Sequence, residues 1–267
     1  MRYLPLWAIL AVSFAFFALF SFFEHPTVFG HEFKTMGFAE SIFGERNVAD
    51  IAQTGVAEED DEAQTEKVQA EISFPMPTDT ASQTILFIGD SMLEGLGPRM
   101  AAYADHNGHT LYEVMWYSST SSTWGSSDKL RNYIERIKPS FIFICLGANE
   151  LFVPDISSKR KDKVKSILKD IGDIPYVWIG PPNWKKDTGI NRLIEDSTPE
   201  GAFFLSDGMK FERTKDGAHP TRKSAAAWLD SVARWMPGHA LHPIRMETPD
   251  KTSGKPKRIY IHQPNEK

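Results

Sequence analysis

One cysteine, Cys145, occurs in 267 residues, so no internal disulfide can form. That thiol lies in the apolar run Phe141 to Leu146, which marks it as a buried structural group and not a reactive one. Cys pairs are absent, the eight histidines are scattered, and no His-x-x-x-His spacing falls on a helical stretch, so no metal centre is expected. No cofactor is implied either. Positive charge is short as well: 30 Lys and Arg against 35 Asp and Glu leave a net charge of −5, which excludes a nucleic-acid binder by charge. No internal repeat is evident.

A long charge-free stretch occurs once, at the start. Leu4 to Phe23 runs for 20 residues without a charge, enough to cross a hydrocarbon core of about 30 Å as a helix. It ends in the bulky Phe22 and Phe23 where a cleaved signal would carry small residues, so residues 1–24 read as an uncleaved membrane anchor. Arg2 precedes the run and the nearest basic residue after it is Lys34, which keeps the N-terminus in the cytoplasm and exports the rest. The expected location is therefore the inner membrane of a bacterium, with the body of the protein in the periplasm. Residues 25–83 read as a solvated linker, because Glu58 to Glu62 is an acidic run followed by Pro75 and Pro77. Within it Phe29, Phe33, Met36, Phe38, Ile42 and Phe43 could form a short amphipathic helix.

From Thr84 the pattern changes. Strand-like runs recur at Ile85–Ile88, Leu111–Trp116, Phe141–Leu146, Pro175–Ile179 and Ala202–Leu205. Between them Leu130, Tyr133, Ile134 and Ile137 fall at helical spacing, as do Val164, Ile167, Leu168 and Ile171. Strands alternating with helices imply right-handed crossovers and a mostly parallel sheet of about five strands covered on both faces. Ser224 to Met236 reads as the last helix, stopped by Pro237 and Gly238. That closes an α/β domain over residues 84–238, with 239–267 as a polar, surface-draped tail.

Three motifs fall where such a sheet would gather them. The run ILFIGDS places Ser91 just past the first strand, at the carboxyl edge where open α/β sheets bind ligands, with Gly89 allowing a sharp turn. Taken alone, Asp90 or Ser91 could equally satisfy amides at the start of the next helix. Gly147-Ala148-Asn149-Glu150 follows the third strand, and the Asn149 amide could bind a negative oxygen beside the Ser91 N–H, or simply hold its loop. Asp216-Gly217-Ala218-His219 precedes the last helix. A serine hydroxyl needs a base to take its proton, and a histidine base works best with a carboxylate fixing its tautomer. Ser91, His219 and Asp216 are the candidates for those roles.

In this order the motifs resemble the SGNH (GDSL-type) hydrolase family over about Thr84 to Trp235. The resemblance implies a flavodoxin-like three-layer α/β/α sandwich and hydrolysis or transfer of acyl esters. Ser91 would be nucleophile and oxyanion donor, Asn149 an oxyanion donor, and Asp216 and His219 the orienting acid and the base. Two departures stand out. Glu150 replaces the family's aspartate, and after the second strand Ser118 to Gly125 offers no glycine to complete the oxyanion hole. A backbone N–H from Ser119, Thr120, Ser121 or Ser122 could serve instead, Ser121 being taken here, or the run is a flexible loop and the hole has two donors.

After the fourth strand, Asn183 and Trp184 are candidate substrate contacts; an indole face packs well on a sugar ring, though Trp184 could equally pack on the core. The function expected is a serine esterase removing acyl groups, O-acetyl above all, from a cell-envelope or extracellular carbohydrate. The alternatives are an O-acyltransferase to a polysaccharide using the same triad, and a non-catalytic glycan-binding protein of the same fold.

Overall fold

The computed structural model describes residues 76–264 and a small hairpin in which Thr27–Val28 pairs antiparallel with His31–Glu32. The chain divides into two units, residues 1–67 and 68–267. The anchor read at 1–24, the helix read over residues 29–43 (the hairpin apart) and the acidic run at 58–62 lie outside the described residues. Among the described residues no helix is long and apolar enough to cross a membrane.

In the second unit the apolar runs become strands because they are buried on both faces. Along β1 (Thr84–Gly89) Ile85 and Phe87 face one core cluster while Leu86 and Ile88 face another. The first cluster is closed by α1 (Leu93–His106) and α6 (Arg222–His239), through Leu93, Leu96, Met100, Trp228, Leu229 and Val232. The second is closed by α3 (Lys129–Ile137), α4 (Ile156–Ile171) and α5 (Ile190–Ser197), through Leu130, Val164, Ile167, Ile190 and Ile194. Both helical stripes expected from spacing therefore face the sheet.

The sheet has six strands: β2 (Thr110–Trp116), β3 (Phe141–Cys145), β4 (Tyr176–Ile179), β5 (Phe203–Phe204) and β6 (Arg258–His262) join β1. Their order is β5-β4-β3-β1-β2-β6 and every pairing is parallel. The first five follow the flavodoxin-like order, which reverses between β1 and β3 and opens a crevice there at the carboxyl edge. The loops carrying Ser91 and Asn149 leave the sheet on either side of that switch point.

Four local expectations change. The segment read as a polar tail supplies β6, with Arg258 to His262 in register with Tyr112 to Trp116. Overall polarity masked an alternation in which Tyr260 turns inward while Ile259 and Ile261 face out. The last helix runs on to His239, with Pro237 inside its final turn. The end of the linker is fastened to the domain: Asp79 N–H donates to Pro243 O at 2.7 Å, and Gln83 N–H to His109 Nδ1 at 3.0 Å. Finally, Gly89 is required for space and not for an unusual φ. A Cβ there would stand 2.5 Å from Cys145 O and 2.2 Å from Leu93 Cδ1.

Candidate active site

Ser91 leaves β1 in a turn that Asp90 holds shut. Asp90 is fully buried, and its Oδ1 accepts the Met92 N–H at 2.9 Å, so the amide-satisfying role weighed for this turn belongs to Asp90. The Ser91 hydroxyl is left for something else. Its Oγ lies 2.8 Å from His219 Nε2, and His219 Nδ1 lies 2.7 Å from Asp216 Oδ2. A carboxylate can only accept, so Nδ1 carries the ring proton and Nε2 is free to take the proton of Ser91. These residues, 128 positions apart, meet as a hydroxyl, a base and a group that sets the base's tautomer.

The geometry of Asp216 accounts for its electrostatics. Oδ1 accepts the backbone N–H of Ala218 at 2.8 Å and of His219 at 3.0 Å, and the Thr214 hydroxyl at 2.8 Å. The two backbone bonds, then those from the His219 ring and Thr214, hold its carboxyl below the usual carboxylate range. At the base of this loop Thr214 N–H donates to His219 O and Thr221 N–H to Glu212 O, each at 2.8 Å. Arg213 pins it to the next loop, its guanidinium donating to the carbonyls of Ala218, Pro182 and Asn183. No spacing motif pointed to Arg213. Its role is set by three carbonyls on two loops.

The oxyanion side differs from expectation at Ser121. Its N–H donates to Glu150 Oε2 at 2.7 Å and its hydroxyl to Oε1 at 3.0 Å, so Ser121 is spent on a fully buried carboxylate and offers nothing to a substrate. Arg160 Nε lies 2.5 Å from Glu150 Oε1, making Glu150 the tie between α4 and α2 (Ser121–Trp124). Thr120 N–H is used in a capping box with Thr123, and Ser119 N–H donates to Trp116 O. Ser118 remains. Its φ of 57° is the left-handed conformation that favours glycine. Its N–H has no acceptor among the described residues, and it borders the cleft of about 400 Å³ that Ser91 and His219 line. A run without glycine carried no sign of this.

Asn149 sits between the two loops. Its Nδ2 donates to Ser119 O at 2.9 Å and to Asp90 Oδ2 at 3.3 Å. Both amide hydrogens are thereby engaged, and Asn149 is not among the residues that line the Ser91 cleft. Burial pushes the Asp90 carboxyl up to about 7, against the opposing effects of the Met92 N–H and His219.

Asn183 and Trp184 are occupied in holding loops. Asn183 Nδ2 donates to Asp207 at 3.1 Å and its Oδ1 accepts from Asn191 at 3.0 Å. Trp184 packs on both cores and donates from Nε1 to Ala148 O at 2.9 Å. Neither lines the Ser91 cleft. Among the described residues no cluster of His, Cys, Asp or Glu could hold a metal ion. Burial raises the Cys145 thiol pKa well above its ordinary value, in keeping with an inert group.

No family model and no curated protein matches the sequence. Solved structures do. The chain is similar in fold to an esterase, to a lipolytic protein of the G-D-S-L family and to an acyltransferase. One is the psychrotrophic esterase EstA from Pseudoalteromonas sp., in a structure inhibited by monoethylphosphonate. It is 20% identical, with 57% of this chain and 97% of that chain covered and a TM-score of 0.40. Another is a lipolytic protein of the G-D-S-L family from Desulfitobacterium hafniense DCB-2, at 14% identity, 57% and 98% coverage and a TM-score of 0.42. The salicylyl-acyltransferase SsfX3, from a tetracycline biosynthetic pathway, is 14% identical over 58% of this chain and 55% of its own, at a TM-score of 0.41.

Proposed function

We propose that the protein is a serine ester hydrolase of the SGNH type that removes short acyl groups, O-acetyl in particular, from a carbohydrate of the cell envelope. The observation that carries this reading is the unbroken relay from Ser91 Oγ to His219 Nε2 and from Nδ1 to Asp216. As Oγ attacks the ester carbonyl, Nε2 takes its proton and Asp216 stabilises the resulting imidazolium. Collapse of the tetrahedral intermediate breaks the C–O bond, Nε2–H protonates the departing alcohol, and water attacks the acyl-enzyme by the same route in reverse. The Ser91 and Ser118 N–H groups are the donors available to the developing oxyanion; the Asn149 amide would join them only by giving up its bond to Asp90.

A 2.8 Å approach of hydroxyl to imidazole argues against the binding-protein alternative, which has no need of it. Residues 4–23 would hold the enzyme in the inner membrane with the domain in the periplasm, a reading supported by their charge-free length and by Arg2.

In full-length protein, Ser91→Ala is expected to cut acetate release from acetyl esters by at least about 10⁴-fold. Wild type should form a covalent adduct with a serine-directed phosphonate, visible by mass spectrometry at Ser91. Wild-type protein that neither releases acid from any acyl ester nor takes up the phosphonate would sink the proposal.

A further inference from the structure

The Ser91 cleft does not end at its own walls. Tyr117 and Ser118 border both it and a second, larger pocket of about 780 Å³, so the two spaces meet across these two residues. No aliphatic side chain other than Pro264 lines the second pocket. Its walls include the edge of Trp116 and the side chains of Ser118, Ser126 and Asn132, and these last three have no hydrogen-bond partner among the described residues. Of the charged groups on this wall, Asp128 pairs with Arg131 at 3.1 Å and the Lys129 ammonium lies 5.1 Å from the centre of the Trp116 ring.

The two spaces are mixed in lining and differ chiefly in size. The larger pocket sets the rings of Trp116 and Tyr117 beside hydroxyls and the Asn132 amide, a mixed wall that suits a ring with apolar faces and a hydroxyl-bearing rim. Uncompensated polar groups at a binding surface reject an apolar ligand and reward one that hydrogen-bonds them. The smaller cleft, where Met92 and Pro220 stand beside Glu94, Thr214 and Arg222, has room for a short acyl group at the nucleophile.

We propose that the pocket between the β2 loop and α3 binds the alcohol half of the ester, a polyhydroxylated sugar, while the acyl group stays in the cleft at Ser91. The scissile bond then lies at Ser91, and the sugar extends from it past Tyr117 and Ser118. Tyr117 is held there by its hydroxyl donating to the Glu94 carboxylate across the cleft. This assignment rests on the esterase reading, and it adds the direction in which the substrate lies.

The test compares two substrates on full-length wild type, Asn132→Ala and the pocket-filling Ser126→Trp. Both positions are exposed and away from the relay, so folding is expected to be unaffected. With p-nitrophenyl acetate, which has no sugar, kcat/KM should stay within twofold of wild type. With partially acetylated xylo-oligosaccharides it should fall at least tenfold, mainly through KM. Equal behaviour of the variants on both substrates would overturn the inference and leave the esterase standing, as would a wild type that cleaves p-nitrophenyl acetate but no acetylated oligosaccharide. A wild type inert on every ester would instead remove the esterase reading itself.

Discussion

Asp216 does two jobs with its two oxygens. Oδ2 orients His219, while Oδ1 gathers two backbone N–H groups and a hydroxyl into the loop. In Asp216→Asn an amide N–H facing Nδ1 would favour the tautomer with its proton on Nε2, which cannot accept from Ser91. In a buried protease triad this substitution costs about 10⁴ in rate. Here the side chains of His219 and Asp216 are 33% and 50% exposed, so water can share the orienting role and the expected loss in kcat/KM is smaller, about 10²-fold. Steady-state kinetics across pH 5–9 measures it, and an unchanged rate would leave a Ser91–His219 dyad. Arg213 is a positioning residue, since it reaches three carbonyls and the Phe211 ring and none of the reacting groups. Arg213→Ala should lower kcat about tenfold with KM little changed; a change confined to KM would mean the loop keeps its geometry without it.

Between elements, two buried carboxylates behave in opposite ways. Glu150 is fully satisfied by Arg160 and Ser121, and so joins the loops after β2 and β3 that flank the crevice. Arg160→Ala should destabilise the protein by about 3 kcal/mol, the lower end for stripping a buried carboxylate of its partner, because the arginine is partly exposed. Urea unfolding reads this directly, and adding Glu150→Gln should recover part of the loss.

Glu113, in the middle of β2, packs against Gly97 of α1, where a Cβ would stand 2.2 Å from its carboxylate. Burial alone pushes its carboxyl from 4.5 to about 7. Below pH 4.5 it is protonated in both states. Between there and about 7 the unfolded chain gives up the proton and the folded chain keeps it, so stability falls as pH rises, and above about 7 the loss is complete. Relative to wild type, Glu113→Gln should therefore gain about 3 kcal/mol between pH 4.5 and pH 8. Parallel unfolding curves for the two proteins across that range would contradict it.

At the scale of the whole molecule, β6 covers the free edge of β2 and reaches the active-site face. His262 O accepts the Tyr117 N–H and Gln263 O accepts Trp116 Nε1, both at 3.0 Å. A chain ended at Gly254 would bare the β2 edge, an open template for aggregation. It would also loosen the residues that border the cleft. Thermal unfolding of that truncation should begin about 5–10 °C lower, with reduced kcat/KM. An unchanged midpoint would return the segment to the status of a dispensable tail.

How much was legible beforehand follows from what writes itself into local order. Burial on both faces turns β1, β3 and β4 into unbroken apolar runs, and one-sided burial gives α3 and α4 their stripes, so the parallel α/β sheet could be read directly. The meeting of Ser91, Asp216 and His219 was legible because each follows a strand or precedes a helix whose place in the sheet was already implied, whereas the bonds of Asn149 to Ser119 and Asp90 were not. By contrast, β6 was hidden because an edge strand with one polar face resembles a solvated tail. The commitment of Ser121 to Glu150, the vacancy at the Ser118 N–H and the reach of Arg213 depend on partners brought together by the turns between strands. Hydrogen bonds of that kind leave no periodicity in the chain, and only the packed sheet decided where they go.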